Sequence, residues 1–294
     1  MSVVEGLISR RYGISKDTVL NAQPDAASDG GQLDPDRLGD ILLRLRGQAA
    51  LTSADGLDYS AVAQSEIYAA YRRYSLELRF FDPKTLLSRE RQLAFWINLY
   101  NGLALDAVVQ WGVRRSVRDF PGFFWRAAYN INGLRYSAND IENGILRGNA
   151  AHPALSGGTF GRADPRRRFS MTPIDPRVHF ALVCASRSCP PVAAYAAERI
   201  HEQLDLAARS FIRGGGTKVD ATRRRVYLSR IFQWYAVDFG ARRLAIGDKR
   251  GLLSFVVPYL GPDDAKLLLA NNHWAVSFMR YDWTLNGLWS GEVA

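Results

Sequence analysis

Apolar residues recur along this chain with different periods, and the periods predict its elements. Between Leu93 and Val109 the segment RERQLAFWINLYNGLALDAVVQWG is apolar nearly all round, which predicts a central helix over 90–110 covered on most sides. Upstream, Ile67, Tyr71, Tyr74 and Leu78 recur at helical spacing and predict an amphipathic helix that Asp58 caps and that runs to Leu78. Ile200, Leu204, Ala207, Ala208 and Phe211 mark another over 196–212. Other stretches read as strands. YNINGLRYS (129–137) turns at Asn132-Gly133, the dipeptide that tight two-residue hairpins prefer. Lys218–Asp220 and Arg225–Leu228 read as a second hairpin joined by ATRR, and the apolar, β-prone run Val178–Cys184 as a buried strand. Ser137 is placed to cap a helix carrying Asp140, Glu142 and Arg147. Together these predict an α+β fold: a helix-rich single domain with a small, mostly antiparallel sheet packed on the central apolar helix. Papain-like architecture is an analogy at fold level only.

The first 50 residues follow a different pattern. A short helical start gives way to NAQPDAASDGGQLDPD, rich in turn formers, and then to a short helix from Asp36 to Arg46. The expectation is an N-terminal appendage and linker over 1–50, with the main domain over 51–294.

Composition narrows the class. Of 294 residues, 47% are apolar and 12% aromatic, enough to bury a sizeable core, so disorder is not the default. The net charge of +9 permits an anionic partner without demanding one. The basic segments at 162–168 and 209–225 are sparse in aromatics, so they read as solvated surface and nucleic acid is not the expected partner. No apolar run of about 18 residues appears and the N-terminus lacks a long apolar stretch, so neither a membrane span nor a signal peptide is expected. A soluble cytoplasmic protein is the expectation.

Polar residues inside an apolar helix carry information. Asn98 and Asn101 are three apart and share a face, with Gly102 beside them. A buried amide costs a few kcal/mol unless its hydrogen bonds are met. The pair therefore either ties down a neighbouring loop or lines a polar cavity.

The stretch VHFALVCASRSCPPV (178–192) holds both cysteines and His179. Read as strand, small polar turn and helix starting at Cys-Pro-Pro, it places Cys189 at a helix N-terminus, where the dipole lowers a thiol's pKa. His179 lies five residues before Cys184, on the opposite side of a regular strand and roughly 16 Å back from its end at about 3.3 Å per residue. A His179–Cys189 dyad thus requires an irregular turn. The plainer alternative is a core strand with a satisfied histidine and small buried thiols. Two cysteines are too few for a disulfide framework, although a local Cys184–Cys189 bridge fits their spacing. There is no HExxH, CxxC or GxSxG, and His179, Cys184 and Cys189 lack a fourth zinc ligand, so neither a metal nor a cofactor is expected.

Several segments together resemble a family known as domain-of-unknown-function family 547: LDY (57–59), LAFWINLYN (93–101), YSANDIENGILR (136–147), DPRVHFALVCASRSCPP (175–191), LSRIFQWYAVDFG (228–240) and YDWTLNG (281–287). In order and spacing they cover about 57–287. The resemblance implies one domain and brings no settled activity. Members often carry histidines where this chain has Asp106 and Asn143, and plant members tend to show Ser-Ser-Pro at Ser188-Cys189-Pro190. A mechanism built on the Cys189 thiol is then not shared by the whole family.

Three functions follow as expectations. In the first, a cysteine-dependent hydrolase or acyltransferase acts on an amide or thioester, with Cys189 attacking and His179 as base. In the second, a non-catalytic domain binds an anionic small molecule or protein partner, the turn's amides and Arg187 gripping the ligand. In the third, Cys184 and Cys189 form a thiol–disulfide switch. Asn98, Asn101, Glu142, Cys184, Ser186, Arg187 and Ser188 are the expected binding residues.

Overall fold

Helix formation in the middle of this chain is governed by caps. The computed structural model describes residues 3–22, 33–49, 56–241, 249–270 and 273–290. Among them, in chain order, stand α1 (Val3–Tyr12), α2 (Arg37–Ala49), β1 (Leu57–Asp58), α3 (Tyr59–Gln64), α4 (Glu66–Glu77), α5 (Arg89–Gln110) and α6 (Phe123–Arg126). Next come β2 (Ala128–Ile131), β3 (Leu134–Ser137), α7 (Ile200–Phe211), β4 (Thr217–Asp220) and β5 (Arg225–Leu228). The chain then runs through α8 (Arg230–Trp234), α9 (Arg250–Val256), α10 (Pro262–Ala270), β6 (Ala275–Phe278) and β7 (Gly287–Leu288). Asp58 caps as expected, accepting from the Ser60 and Ala61 amides, but the helix it starts ends at Gln64. Ser65 stops it and starts α4 by accepting from the Tyr68 amide, so a second cap divides the expected long helix in two.

The chain forms two compact units, one from residues 1–174, 182–200 and 283–294, the other from 175–181 and 201–282. In the first, α5 is buried continuously from Leu93 to Val108. The β2–β3 hairpin lies against it, with the Tyr136 and Trp96 rings 5.4 Å apart. Its turn uses Asn132 and Gly133, both at positive φ (49° and 77°), the conformation that a two-residue turn requires. Inside the segment expected to be an appendage, α2 buries Leu38, Leu42 and Leu45 and packs on α4 and α5. The linker expected over 21–36 falls mostly on 23–32, outside the described residues, as does the expected boundary between residues 50 and 51.

Asp106 adds a polar knot to this core. It is fully buried and accepts hydrogen bonds from Tyr68 (2.6 Å), Tyr129 (2.7 Å), Gln110 (2.8 Å) and Arg72 (2.7 Å). Burial first, and then the Asp106 charge, pushes the Tyr68, Tyr71 and Tyr129 hydroxyls above their ordinary pKa, so they stay protonated donors.

The second unit closes on an aromatic core in which Phe180, Phe232 and Phe239 are buried together with Val226, Leu228 and Leu252. Its sheet runs β4–β5–β6, with β4–β5 antiparallel and β5–β6 parallel. In the first unit β2–β3 is antiparallel and β1–β7 parallel. The fold is α+β, with small sheets of two or three strands.

Candidate functional site

The cysteine stretch is built differently from a strand, turn and helix. Asp175 accepts from the Arg177 amide and Pro176 sets the first turn, so Pro176–Phe180 forms a 3₁₀ helix where a strand was expected. Residues 181–184 join no ladder, and side chains satisfy two of their amides. The Val183 N–H donates to Asn101 Oδ1 (2.8 Å) and the Cys184 N–H to Cys189 Sγ (3.1 Å). An apolar run whose amides are met in this way needs no partner strand. The expected helix start at Cys-Pro-Pro is also corrected. Residues 190–196 are not helical, and the next helical turn begins at Ala197, so Cys189 has no helix N-terminus behind it. Two consecutive prolines remove two backbone donors and hold the chain extended.

Cys184 and Cys189 are joined by a disulfide, with Cα atoms 6.3 Å apart. Both residues are half-buried. Ser186 is fully buried, and its hydroxyl lies 3.1 Å from Cys184 Sγ and 3.5 Å from Cys189 Sγ. The loop inside the bridge is independently seated. The Asn286 N–H donates to Ala185 O (3.0 Å), the Arg187 N–H to Thr284 O (2.8 Å), and Ser186 bridges Leu285 in antiparallel sense. The Leu285 N–H donates in turn to Arg115 O (2.7 Å). Residues 284–286 thus run between the cysteine loop and the 113–118 turn. Ala185 sits at φ 58°, a left-handed conformation costing a non-glycine residue about 1–2 kcal/mol, and those long-range bonds hold it there.

The amides of α5 act on neighbouring backbone. Asn98 pairs with Tyr195 in both directions, accepting its N–H (2.9 Å) and donating to its C=O (2.7 Å). Asn101, one of the expected binding residues, holds Val183, the residue before Cys184. Gly102 leaves room for the Tyr71 ring, which an added Cβ would strike. Glu142 lies in a π-helical stretch, Asp140–Leu146, that Ser137 and Asp140 cap reciprocally. It accepts from the Tyr100 hydroxyl (3.2 Å). In this wider winding Arg147 N–H reaches Glu142 O, five residues back, and its guanidinium holds Ala151 O (2.9 Å). His152 follows, its ring 4.9 Å from Trp125 and its pKa lowered by burial first, with Glu142 opposing and Arg147 assisting.

His179 belongs to the second unit. Buried there, its Nε2 meets Asp238 at 2.8 Å and its ring stacks on Tyr235 at 4.0 Å. This is a histidine–carboxylate pair, and no local pattern marks Asp238 as its partner. The structure therefore groups Cys184, Ser186 and Cys189 in one loop with Asn101 behind it. Arg187 is exposed and Ser188 half-buried on the same loop. Among the described residues no group of three or more His, Cys, Asp or Glu side chains could hold a metal ion, and no helix is long and apolar enough to cross a membrane.

Residues 84–212 match the family described as protein of unknown function, DUF547, the family that the sequence motifs resemble. That span holds LAFWINLYN, YSANDIENGILR and the whole cysteine loop, while LDY, LSRIFQWYAVDFG and YDWTLNG lie outside it. No curated protein and no solved structure matches the chain.

Proposed function

We propose that the Cys184–Cys189 pair of this chain is a thiol–disulfide exchange site. The carrying observation is that the bridge spans a loop already fastened by backbone bonds to 284–286 and by Asn101. A staple adds little to a segment held on both sides, whereas half-buried sulfurs within a fixed frame suit reversible chemistry. Cys189 Sγ receives the Cys184 amide, which favours its thiolate and makes it the better leaving group, while the Ser186 hydroxyl reaches both sulfurs. A partner thiolate attacks Cys184 Sγ, the S–S bond breaks, and Cys189 departs as thiolate. The partner's second thiolate then attacks its own sulfur in the mixed disulfide and releases Cys184. The partner is oxidised by two electrons to a disulfide, the protein pair is reduced to two thiols, and the partner's two protons pass to the cysteines or to water. The cysteine-dependent hydrolase reading needs a free thiol at Cys189, and this sulfur is held in the bridge, which favours exchange.

The test equilibrates the full chain with dithiothreitol redox buffers and counts protein thiols by alkylation and intact mass. Reversible release of two thiols, with the far-UV spectrum and the unfolding transition retained, is the expected result. Sulfurs that open only when the protein is denatured, or that never oxidise in the folded chain, would remove the exchange reading.

A further inference from the structure

The surroundings of the cysteine loop are rich in arginine. Residues 113–119, 185–189 and 283–290 include Arg114, Arg115, Arg118 and Arg187 against Asp119, with the Asp58 carboxylate meeting the Ser290 N–H at 3.4 Å. All four arginines are exposed, and the Arg115 side chain keeps 86% of its accessibility while pairing with Asp119 at 3.3 Å. The Arg115 and Arg187 backbones flank residues 284–285 on either side through the Leu285–Arg115 and Arg187–Thr284 hydrogen bonds. Two indoles order the remaining arginines. Arg114 lies 4.0 Å over the Trp289 ring, whose Nε1 is fixed on Val113 O (2.8 Å), and Arg118 lies 5.7 Å from the Trp283 ring. Guanidiniums laid on aromatic faces lose less freedom on forming a salt bridge than solvated ones. The 113–118 turn itself is pinned by the Ser116 hydroxyl on Trp283 O (2.7 Å).

The geometry points to this tryptophan-backed arginine ledge as the docking surface for an acidic polypeptide that presents a thiol to the Cys184–Cys189 bridge. The inference rests on the exchange reading above. Guanidinium forks fit carboxylates in bidentate fashion. Their spread along both sides of 283–289 suits a run of acidic residues better than a single small anion, which would meet one or two of them. Polyphosphate surfaces share the charge but not the thiol. The disulfide beside the ledge therefore selects a polypeptide over a nucleic acid or a lipid headgroup.

The experiment uses the oxidised full chain and three nine-residue peptides, each with one central cysteine flanked by glutamate, glutamine or lysine. Formation of the mixed disulfide is followed by intact mass. Each rate is divided by that peptide's rate with hydroxyethyl disulfide, which removes differences in thiol pKa. The glutamate peptide is expected to react at least about tenfold faster than the lysine peptide at low salt, with the advantage collapsing in high salt. The Arg115→Gln/Arg118→Gln variant should lose that advantage and Arg223→Gln, in the second unit, should keep it. Dithiothreitol, which is uncharged, reports whether each variant still presents the bridge. Equal normalised rates for all three peptides, with normal dithiothreitol reduction, overturn the ledge and leave the exchange reading standing. If dithiothreitol cannot open the folded bridge, the exchange reading fails. The ledge is then judged by fluorescence anisotropy of the serine versions of the peptides, and similar affinities for the acidic and basic forms overturn it. Tighter binding of an anionic phospholipid vesicle or a single-stranded oligonucleotide than of the acidic peptide also overturns the assignment to a polypeptide.

Discussion

Replacing Asn98 by alanine removes two hydrogen bonds at once. Its amide mimics a neighbouring peptide group, accepting the Tyr195 N–H and donating to the Tyr195 C=O, with Asn98 and Tyr195 both buried. Alanine leaves both backbone groups desolvated and unpaired. Each such orphan costs about 1–3 kcal/mol, so the loss sums to about 2–6 kcal/mol. Asn101 accepts the Val183 N–H, and its alanine variant should cost at least about 1 kcal/mol by the same measure. Urea melts of the two variants, at matched m-value, read these costs directly. The two differ further at the sulfurs. Asn101→Ala frees the backbone next to Cys184 and should change the rate at which dithiothreitol opens the bridge, whereas Asn98→Ala should leave that rate near wild type. An Asn98→Ala loss below about 1 kcal/mol would refute the orphaned-pair reasoning.

Four further outcomes are expected. Leu42→Ala should cost about 2–5 kcal/mol in a urea melt, because α2 belongs to the first unit's core, and a chain beginning near Ser53 should lose its cooperative transition. Asp106→Ala should cost at least about 3 kcal/mol, since it removes the charged acceptor that Arg72 and three further donors share; a change within 1 kcal/mol would disprove the polar knot. His152 has a folded pKa below its unfolded value near 6.5, so its contribution is complete above that value and is lost as pH falls through the folded pKa. The stability difference between wild type and His152→Phe should therefore move with pH below about 6.5 and stay flat above it, as read from urea midpoints across pH 5 to 8. Ala185→Gly relieves a left-handed alanine and should raise the thermal midpoint slightly or leave it unchanged; a clear fall would mean that the methyl group is needed for packing.

Local chemistry carried much of this fold. The continuous apolar run of α5, the Asn132-Gly133 hairpin, the Asp58 cap and the Ser137 start are all decided within a few residues, and each is legible in the sequence. Ser65 was missed because one serine inside an amphipathic pattern does not announce a second cap. Val178–Cys184 misled for a deeper reason. Its composition is that of a strand, but Asn101, far upstream, takes the amide that a ladder would have used. The role of α2 was hidden by the turn formers before it, which mark a boundary in the chain without saying whether the next helix docks. At the site, the spacing of Cys184 and Cys189 made a bridge conceivable. Its seat on residues 284–286, and Asp238 as the partner of His179, are long-range pairings that no local window contains.

That seat gives the chain a schedule. The segment that fastens the 185–187 loop leaves the ribosome roughly 100 residues after it, a lag of about 5–20 s at ordinary rates of elongation. In that interval both cysteines have emerged while Ala185 and Arg187 still lack the partners that impose their backbone geometry. Early oxidation would close the ring before its frame exists, and late oxidation would close it inside the finished frame. Any nascent chain halted before Trp283 keeps the two sulfurs and Asn101 but lacks the segment that seats residues 185–187.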